Sequence, residues 1–315
     1  MIRAIRVWIQ KWLNREIDRS IILVQWNDVI IVRFGLVSAF ALLLGLVSFI
    51  AVFRGIGISR EAMRNLLIFS PLNLIFFSFV QGMIFSRGAA RERFRNISFG
   101  FFGGIAGVFL TFLFASLYYG LNLYLMLDVS VLLAAFIHSY ARTACINYGC
   151  CHGKERVSTE DSLHMIYKQS MAKAVRISFM ANRPLYPVQF YESVGCFAIG
   201  LVLLAIALFW HKTGLMLGTY LMLYGSLRFF CEFYRGEAER RTIGSLTVYQ
   251  WICLALILVG VGVAFTAIVQ SVPGKISISK ESLLEPLQYL PFLIFMPFVI
   301  LFFYGFHYRT VGKWR

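Results

Sequence analysis

"FGLVSAFALLLGLVSFIAVF", residues 34–53, decides the fold class. The stretch carries no charge over its whole length, and a helix rising about 1.5 Å per residue turns such a run into roughly 30 Å, the thickness of a bilayer's hydrocarbon core. The rest of the chain repeats the signal. Of 315 residues, 59% are hydrophobic, 14% are charged and 31 are phenylalanine, a composition no soluble domain of this size needs. Further apolar runs extend from about Leu66 to Phe85, Phe99 to Ala144 with a weak break between Gly120 and Ser130, Val188 to Trp210, Leu215 to Phe233, Leu246 to Val269 and Pro286 to Phe306.

The expected fold is an all-α polytopic membrane protein: a bundle of seven to eight transmembrane helices, with an amphipathic N-terminal helix and a polar loop domain between spans 4 and 5. Three segments follow. Residues 1–33 form an interfacial N-terminal segment, residues 34–270 a transmembrane core holding the polar loop 148–185, and residues 271–315 an extra C-terminal span with a basic tail. In "MIRAIRVWIQKWLNREIDRS", Ile2, Ile5, Trp8, Ile9, Trp12 and Leu13 share one helical face, with Arg3, Arg6, Lys11 and Arg15 mostly elsewhere. That pattern suits a helix lying on an anionic membrane surface, or a basic flank that only sets topology.

The net charge of +15 is scattered over loops between spans, with no nucleic-acid recognition module around it. Membrane orientation accounts for it better. With eight spans, most Lys and Arg fall on the side of the termini, the Arg87–Arg95 loop, the long loop and Arg235–Arg241, which the positive-inside rule places in the cytoplasm.

Two arginines, Arg142 and Arg228, lie within or at the end of apolar spans, where a charge costs about 3 kcal/mol or more unless it faces the bundle interior with a partner. "YGSLRFFCEFYRG" supplies one. Glu232 follows Arg228 by one turn on the same face, Tyr224 precedes it by one turn, and Arg235 lies a turn further. Such a pair either fixes helix packing or holds an arginine fork ready for phosphate oxygens. "RPLYPVQFYES" adds Tyr186, Gln189, Tyr191 and a second carboxylate in an apolar run, Glu192. "FGFFGGIAGVF" places Gly103, Gly104 and Gly107 where a helix or a lipid could approach the backbone closely.

In order, "FFGGIAGV", "ARTACINYGCCHGK", "YPVQFYES", "LYGSLRFFCEFYRG" and "LTVYQWICLALILVGV" resemble the prolipoprotein diacylglyceryl transferase family, from about Arg33 to Val263. That family carries a His-Gly-Gly opening, a Gly-Arg signature ending Asn-Gly, a His-Pro-x-Gln-x-Tyr-Glu entrance, a Tyr-Gly-x-x-Arg-x-x-x-Glu-Phe-x-Arg helix and a Thr-x-x-Gln span. The resemblance implies a multi-pass protein of the bacterial cytoplasmic membrane. It implies transfer of diacylglyceryl from phosphatidylglycerol, an anionic phospholipid, to a lipoprotein precursor's cysteine, with release of glycerol phosphate. Arg142 and Arg228 would clamp the phosphate, with Glu232, Tyr224 and Arg235 holding or extending the clamp. Gly103, Gly104, Asn147, Gly149, Tyr186, Gln189, Tyr191 and Glu192 would line the substrate site. The family's active face would look outward, against the charge count.

Several positions depart from the family. Phe102 replaces its histidine before the paired glycines, Tyr186 its histidine before proline, Phe34 a tyrosine of the first span, and Asn147 falls one place before the signature asparagine, where Tyr148 stands. Phenylalanine cannot move a proton. Cys150 with His152 as base could substitute, or the cysteines could be structural. Neither a metal nor a cofactor is expected, because the spacing of Cys145, Cys150, Cys151 and His152 matches no common zinc pattern and adjacent cysteines are awkward ligands of one ion. Two further readings stay open: the same donor with another acceptor, and a non-catalytic lipid-binding or transport protein.

Overall fold

The computed structural model describes residues 2–85, 101–158, 162–210, 212–236, 242–270 and 279–311. The Arg87–Arg95 loop, the start of the third apolar run near Phe99, Arg241 and the side chain of Phe102 lie outside the described residues. Helix α1 (Ile2–Asp18) leads into a hairpin of β1 (Ile22–Trp26) and β2 (Val29–Val32). Long helices α2 (Arg33–Gly55), α3 (Arg60–Phe85), α4 (Phe101–Tyr119) and α5 (Leu123–Tyr148) follow. The polar loop holds β3 (Met165–Ile166), α6 (Lys173–Arg176) and β4 (Pro184–Leu185). Then come α7 (Val188–Phe209), α8 (Leu215–Tyr234), β5 (Thr242–Ile243), β6 (Leu246–Thr247), α9 (Val248–Gln270), α10 (Lys280–Leu284), α11 (Leu290–Gly305) and β7 (Phe306–Tyr308).

Six helices among the described residues are long and apolar enough to cross a membrane. Gly103–Tyr119 is apolar but short, and α8 falls outside the six because its last turns carry Arg228 and Glu232 among tyrosines. The protein is an all-α polytopic membrane protein. Its helices keep large apolar side chains such as Phe76, Phe114, Phe265 and Phe303 on their outer surfaces. In water that much exposed apolar surface would drive association; in hydrocarbon it is the correct outside.

Because lipid tails are as apolar as the helix surfaces, the bundle is held by close approach and buried polar contacts. Helices α3 and α4 meet through Gly103 and Gly107, where a Cβ would run into the main-chain oxygens of Phe77 and Asn73. Asn73 donates to Thr111 across the same seam, 2.9 Å. The glycines of "FFGGIAGV" therefore serve helix packing. At the far end of α5, the fully buried Asp128 accepts from the backbone N–H groups of Gly214 and Leu217, 2.7 Å each, and so caps α8.

At the other end of the bundle, β7 completes an antiparallel β1-β2-β7 sheet, so the C-terminal span is tied into the N-terminal segment. Gly305 of α11 rests directly on Gly35 of α2. The face of α1 is divided. Leu13 and Ile17 are buried against Ile146, Tyr167 and Leu185, while Ile5 and Trp8 stay exposed. Gln10 holds the polar loop through His164, and Asn147 donates to the carbonyls of Glu16 and Arg19 at the end of α1, 2.9 and 2.8 Å.

Candidate functional site

The last turns of α5 and α8 and the first of α7 end together on the side of the β1-β2-β7 sheet, and each brings charge into one place. Glu192 of α7 is 1% exposed and lies between two arginines from other helices. Arg228 Nη1 donates to its Oε1 at 2.6 Å, and Arg142 Nε forms an ion pair with its Oε2 at 2.8 Å. Arg228 also pairs with Glu232 at 3.3 Å, and Thr247 Oγ1 donates to the other Glu232 oxygen at 3.3 Å. Gln250, the glutamine of the final span, caps that corner by accepting from the Thr247 backbone N–H, 2.9 Å.

The shorter bond of Arg228 thus goes to a carboxylate 36 residues away and not to the one a turn along its own helix. The pairing of Arg228 with Glu232 was legible from spacing; the role of Glu192 in joining both arginines was not. The Arg142 side chain is 16% exposed and that of Arg228 13%, so both are largely shielded from bulk water.

One residue of this cluster escaped the sequence reading. His138, a turn before Arg142 on α5, accepts from Arg142 Nε at 3.0 Å, and its ring lies 5.5 Å from that of Tyr224. The signal was the i, i+4 spacing of "HSYAR", which puts imidazole and guanidinium on one face. A ring nitrogen that accepts from an arginine carries no proton there, so the imidazole is neutral. Tyr224 also stacks on Tyr220, centroids 5.4 Å apart.

Four candidates make their contacts elsewhere than with Arg142 and Arg228. Asn147 is committed to the end of α1. His152, expected as a base beside Cys150, is 2% exposed, and both its ring nitrogens have loop partners, Gly153 O at 2.9 Å and Ser178 Oγ at 2.8 Å. Gly103 and Gly104 face α3. The others support the entrance. Gln189, fully buried, donates to the carbonyl of Cys150 at 2.8 Å, and the fully buried Tyr167 donates to the carbonyl of Ile146 at 2.8 Å. Burial pushes the Tyr167 phenol well above its ordinary pKa. Tyr186 stacks near Tyr234, 5.0 Å between centroids, under the guanidinium of Arg156. Tyr191 sits beside Phe190 at the same entrance.

The loop after α5 turns on two left-handed residues. Gly149 (φ 74°) closes the helix by donating to the carbonyl of Cys145, and Cys151 (φ 56°) bends the chain again. As a result the sulfurs of Cys145, Cys150 and Cys151 all lie within 4.8 Å of one another, with Arg142 Nη1 4.0 Å from Cys145 Sγ. A bridge between Gly153 and Arg235 sets the end of α8 against this loop. Hydrogen bonds from the Cys145 and Cys150 thiols, then the charges of Arg235 and Arg142, pull the Cys151 thiol well below its ordinary pKa.

A family model described as prolipoprotein diacylglyceryl transferase matches residues 21–266. The phosphatidylglycerol–prolipoprotein diacylglyceryl transferase 2 of Clostridium perfringens is 32% identical over 171 residues, 53% of this chain and 62% of that protein. The corresponding enzyme of Clostridium tetani is 29% identical over 136 residues, 43% of this chain and 51% of that one. That of Wigglesworthia glossinidia brevipalpis is 27% identical over 206 residues, 58% and 72%. The matched region is thus less than two thirds of the length of the two clostridial relatives.

Proposed function

Because the chain belongs to the prolipoprotein diacylglyceryl transferase family, we propose that it transfers diacylglyceryl from phosphatidylglycerol to the cysteine thiol of a lipoprotein precursor, within the bacterial cytoplasmic membrane. The observation that carries this reading is the buried carboxylate of Glu192 shared by Arg142 and Arg228, with the three residues on three different helices. A lone ion pair would satisfy one arginine. Two guanidinium groups fixed on one anion make a site for the two non-bridging oxygens of a phosphodiester.

The reaction is displacement at carbon. The acceptor sulfur bonds to the glyceryl carbon, the bond from that carbon to the phosphate oxygen breaks, and the electron pair leaves on glycerol phosphate. Arg142 and Arg228 stabilise the charge growing on that leaving group, an interaction stronger in the transition state than in the bound donor. Glu192 and Glu232 hold the guanidinium groups in orientation, so no side-chain ordering remains for the moment of reaction. With Phe102 unable to move a proton, His138 is the neutral base nearest the clamp. Its Nε2 lone pair accepts from Arg142 Nε, whose single hydrogen can pass to Glu192 Oε2, 2.8 Å from the same nitrogen, which frees the imidazole to take the thiol proton without turning the guanidinium.

Incubation of the purified protein with headgroup-labelled phosphatidylglycerol and a cysteine peptide tests the reading. Labelled glycerol phosphate and a thioether-linked peptide are the expected products, abolished in Arg142→Ala and Arg228→Ala. Donor bound with no release of glycerol phosphate would point to a lipid-binding protein. Rescue of a strain lacking its own lipoprotein transferase would identify the acceptor as a lipoprotein.

A further inference from the structure

Cysteine sulfurs gather for one of three reasons in a membrane protein of this kind: chance burial, a disulfide, or a soft metal ion. Chance burial describes Cys196, Cys231 and Cys253, which are buried in separate helices. It does not describe Cys145, Cys150 and Cys151. Adjacent side chains in extended or helical backbone point apart, so two neighbouring thiols converge on a third only if the chain is bent between them. The bend is present at Cys151, whose left-handed backbone a non-glycine residue adopts at a cost. That bend removes the objection that adjacent cysteines cannot share an ion.

We propose that Cys145, Cys150 and Cys151 bind one zinc ion as three thiolates, leaving its fourth position for the thiol acceptor. Zinc held by sulfur at about 2.3 Å in a tetrahedron needs sulfurs roughly 3.8 Å apart, a contraction within side-chain reach from a set already inside 4.8 Å. Three protein ligands and one open position are the composition of a catalytic zinc site. The charge also closes. Three thiolates and Zn²⁺ leave one net negative charge and a fourth thiolate makes two, facing Arg142 at 4.0 Å from Cys145 and Arg235 across the Gly153 bridge.

The role in chemistry rests on the proposed thiol transfer. A thiol that coordinates zinc is deprotonated by the ion, its proton passing to His138, so the sulfur reaches the glyceryl carbon as a thiolate. The carbon–oxygen bond then breaks with its electron pair leaving on glycerol phosphate, as above, and the thioether product, a poorer ligand, leaves zinc. This supplies the activation that Phe102 cannot.

Metal content and the cobalt spectrum of the full chain in detergent test the site without any phospholipid. One equivalent of zinc retained through desalting, and an intense sulfur-to-cobalt charge-transfer band on Co²⁺ substitution, are the expected results. Cys145→Ser, Cys150→Ser and Cys151→Ser should each weaken zinc by more than the roughly 10–100-fold that losing an outer-shell partner costs, whereas Cys253→Ser should not. A cysteine peptide should deepen the cobalt band as a fourth sulfur binds. Wild-type protein that retains no zinc while all three thiols titrate as free, or in which two form a disulfide, overturns the site whatever the variants do. Zinc bound but unaffected by the peptide, with lipid turnover intact after metal removal, overturns the role and leaves the transferase reading standing. Failure of lipid turnover with the zinc and peptide signals intact overturns the transferase reading and the zinc's role in it, and leaves the zinc site standing.

Discussion

Replacing Glu192 by glutamine removes one charge and almost no volume, and it strikes the single group that both arginines share. A unit-charge pair at ~4 Å attracts by about 4 kcal/mol at an effective dielectric of 20. Glu192 takes part in two such pairs, with N–O contacts of 2.6 and 2.8 Å. Most of that attraction offsets the cost of burying three charges, so the net worth of the triad is small. Breaking it is a different matter. Two guanidinium groups, 16% and 13% exposed, then face each other with only Glu232 nearby, and the expected loss of stability is ~3–5 kcal/mol. Chemical denaturation in detergent measures that loss. The same change raises local positive charge, so phosphatidylglycerol should bind as tightly as before or more tightly while kcat falls, because the arginines lose their fixed orientation. The decisive comparison is the quadruple variant Arg142→Met, Glu192→Met, Arg228→Met, Glu232→Gln, which removes both arginines together with both of their carboxylate charges. Apolar replacement of a whole buried triad is often neutral for stability. Recovered stability without turnover supports the clamp; recovered turnover refutes it and leaves the triad as packing alone.

Three other outcomes are expected. His138→Ala should reduce kcat by about 10²–10⁴-fold, while His138→Gln, which keeps an acceptor for Arg142, should retain donor affinity without restoring the rate, as steady-state kinetics would show. Asp128→Asn should lower stability by about 1 kcal/mol through loss of one of the two hydrogen bonds that cap α8, with KM for donor unchanged, a prediction checked by thermal unfolding beside kinetics. Asn147→Ala should free the end of α1 at a cost of ~1–3 kcal/mol, seen as faster amide exchange in residues 13–19, with turnover retained within a few-fold. A large loss of kcat there would return Asn147 to the active site.

The spanning helices were legible because a bilayer imposes one length and one chemistry on each, and both are written locally in runs such as residues 34–53. Arg228 and Glu232 were legible for the same reason, since one helical turn separates them. What escaped depends on contacts between distant parts of the chain. Nothing near Glu192 says that it meets arginines 50 residues before and 36 after it. The pairing of β2 with β7 spans almost the whole chain. The amphipathic reading of α1 took its apolar face to be one surface, whereas part of it docks on the polar loop and only part stays exposed. The converging thiols depend on a positive φ at a non-glycine residue, which no propensity scale foresees. His138 was the exception: its spacing to Arg142 was readable, but a histidine in an apolar run drew less notice than the arginines.

The sheet that joins β2 to β7 also orders events in time. Strand β2 leaves the ribosome some 270 residues ahead of its partner, and at ~5–20 residues per second the gap is roughly 15 to 55 s. Throughout that interval one edge of β2 is an open template for any extended segment nearby. Insertion of α11 therefore acts as a latch, sealing the hairpin and bringing Gly305 onto Gly35 in the same movement. A nascent chain halted before that helix would hold its arginine cluster assembled and its amino-terminal edge unsealed, exposed to quality-control proteases.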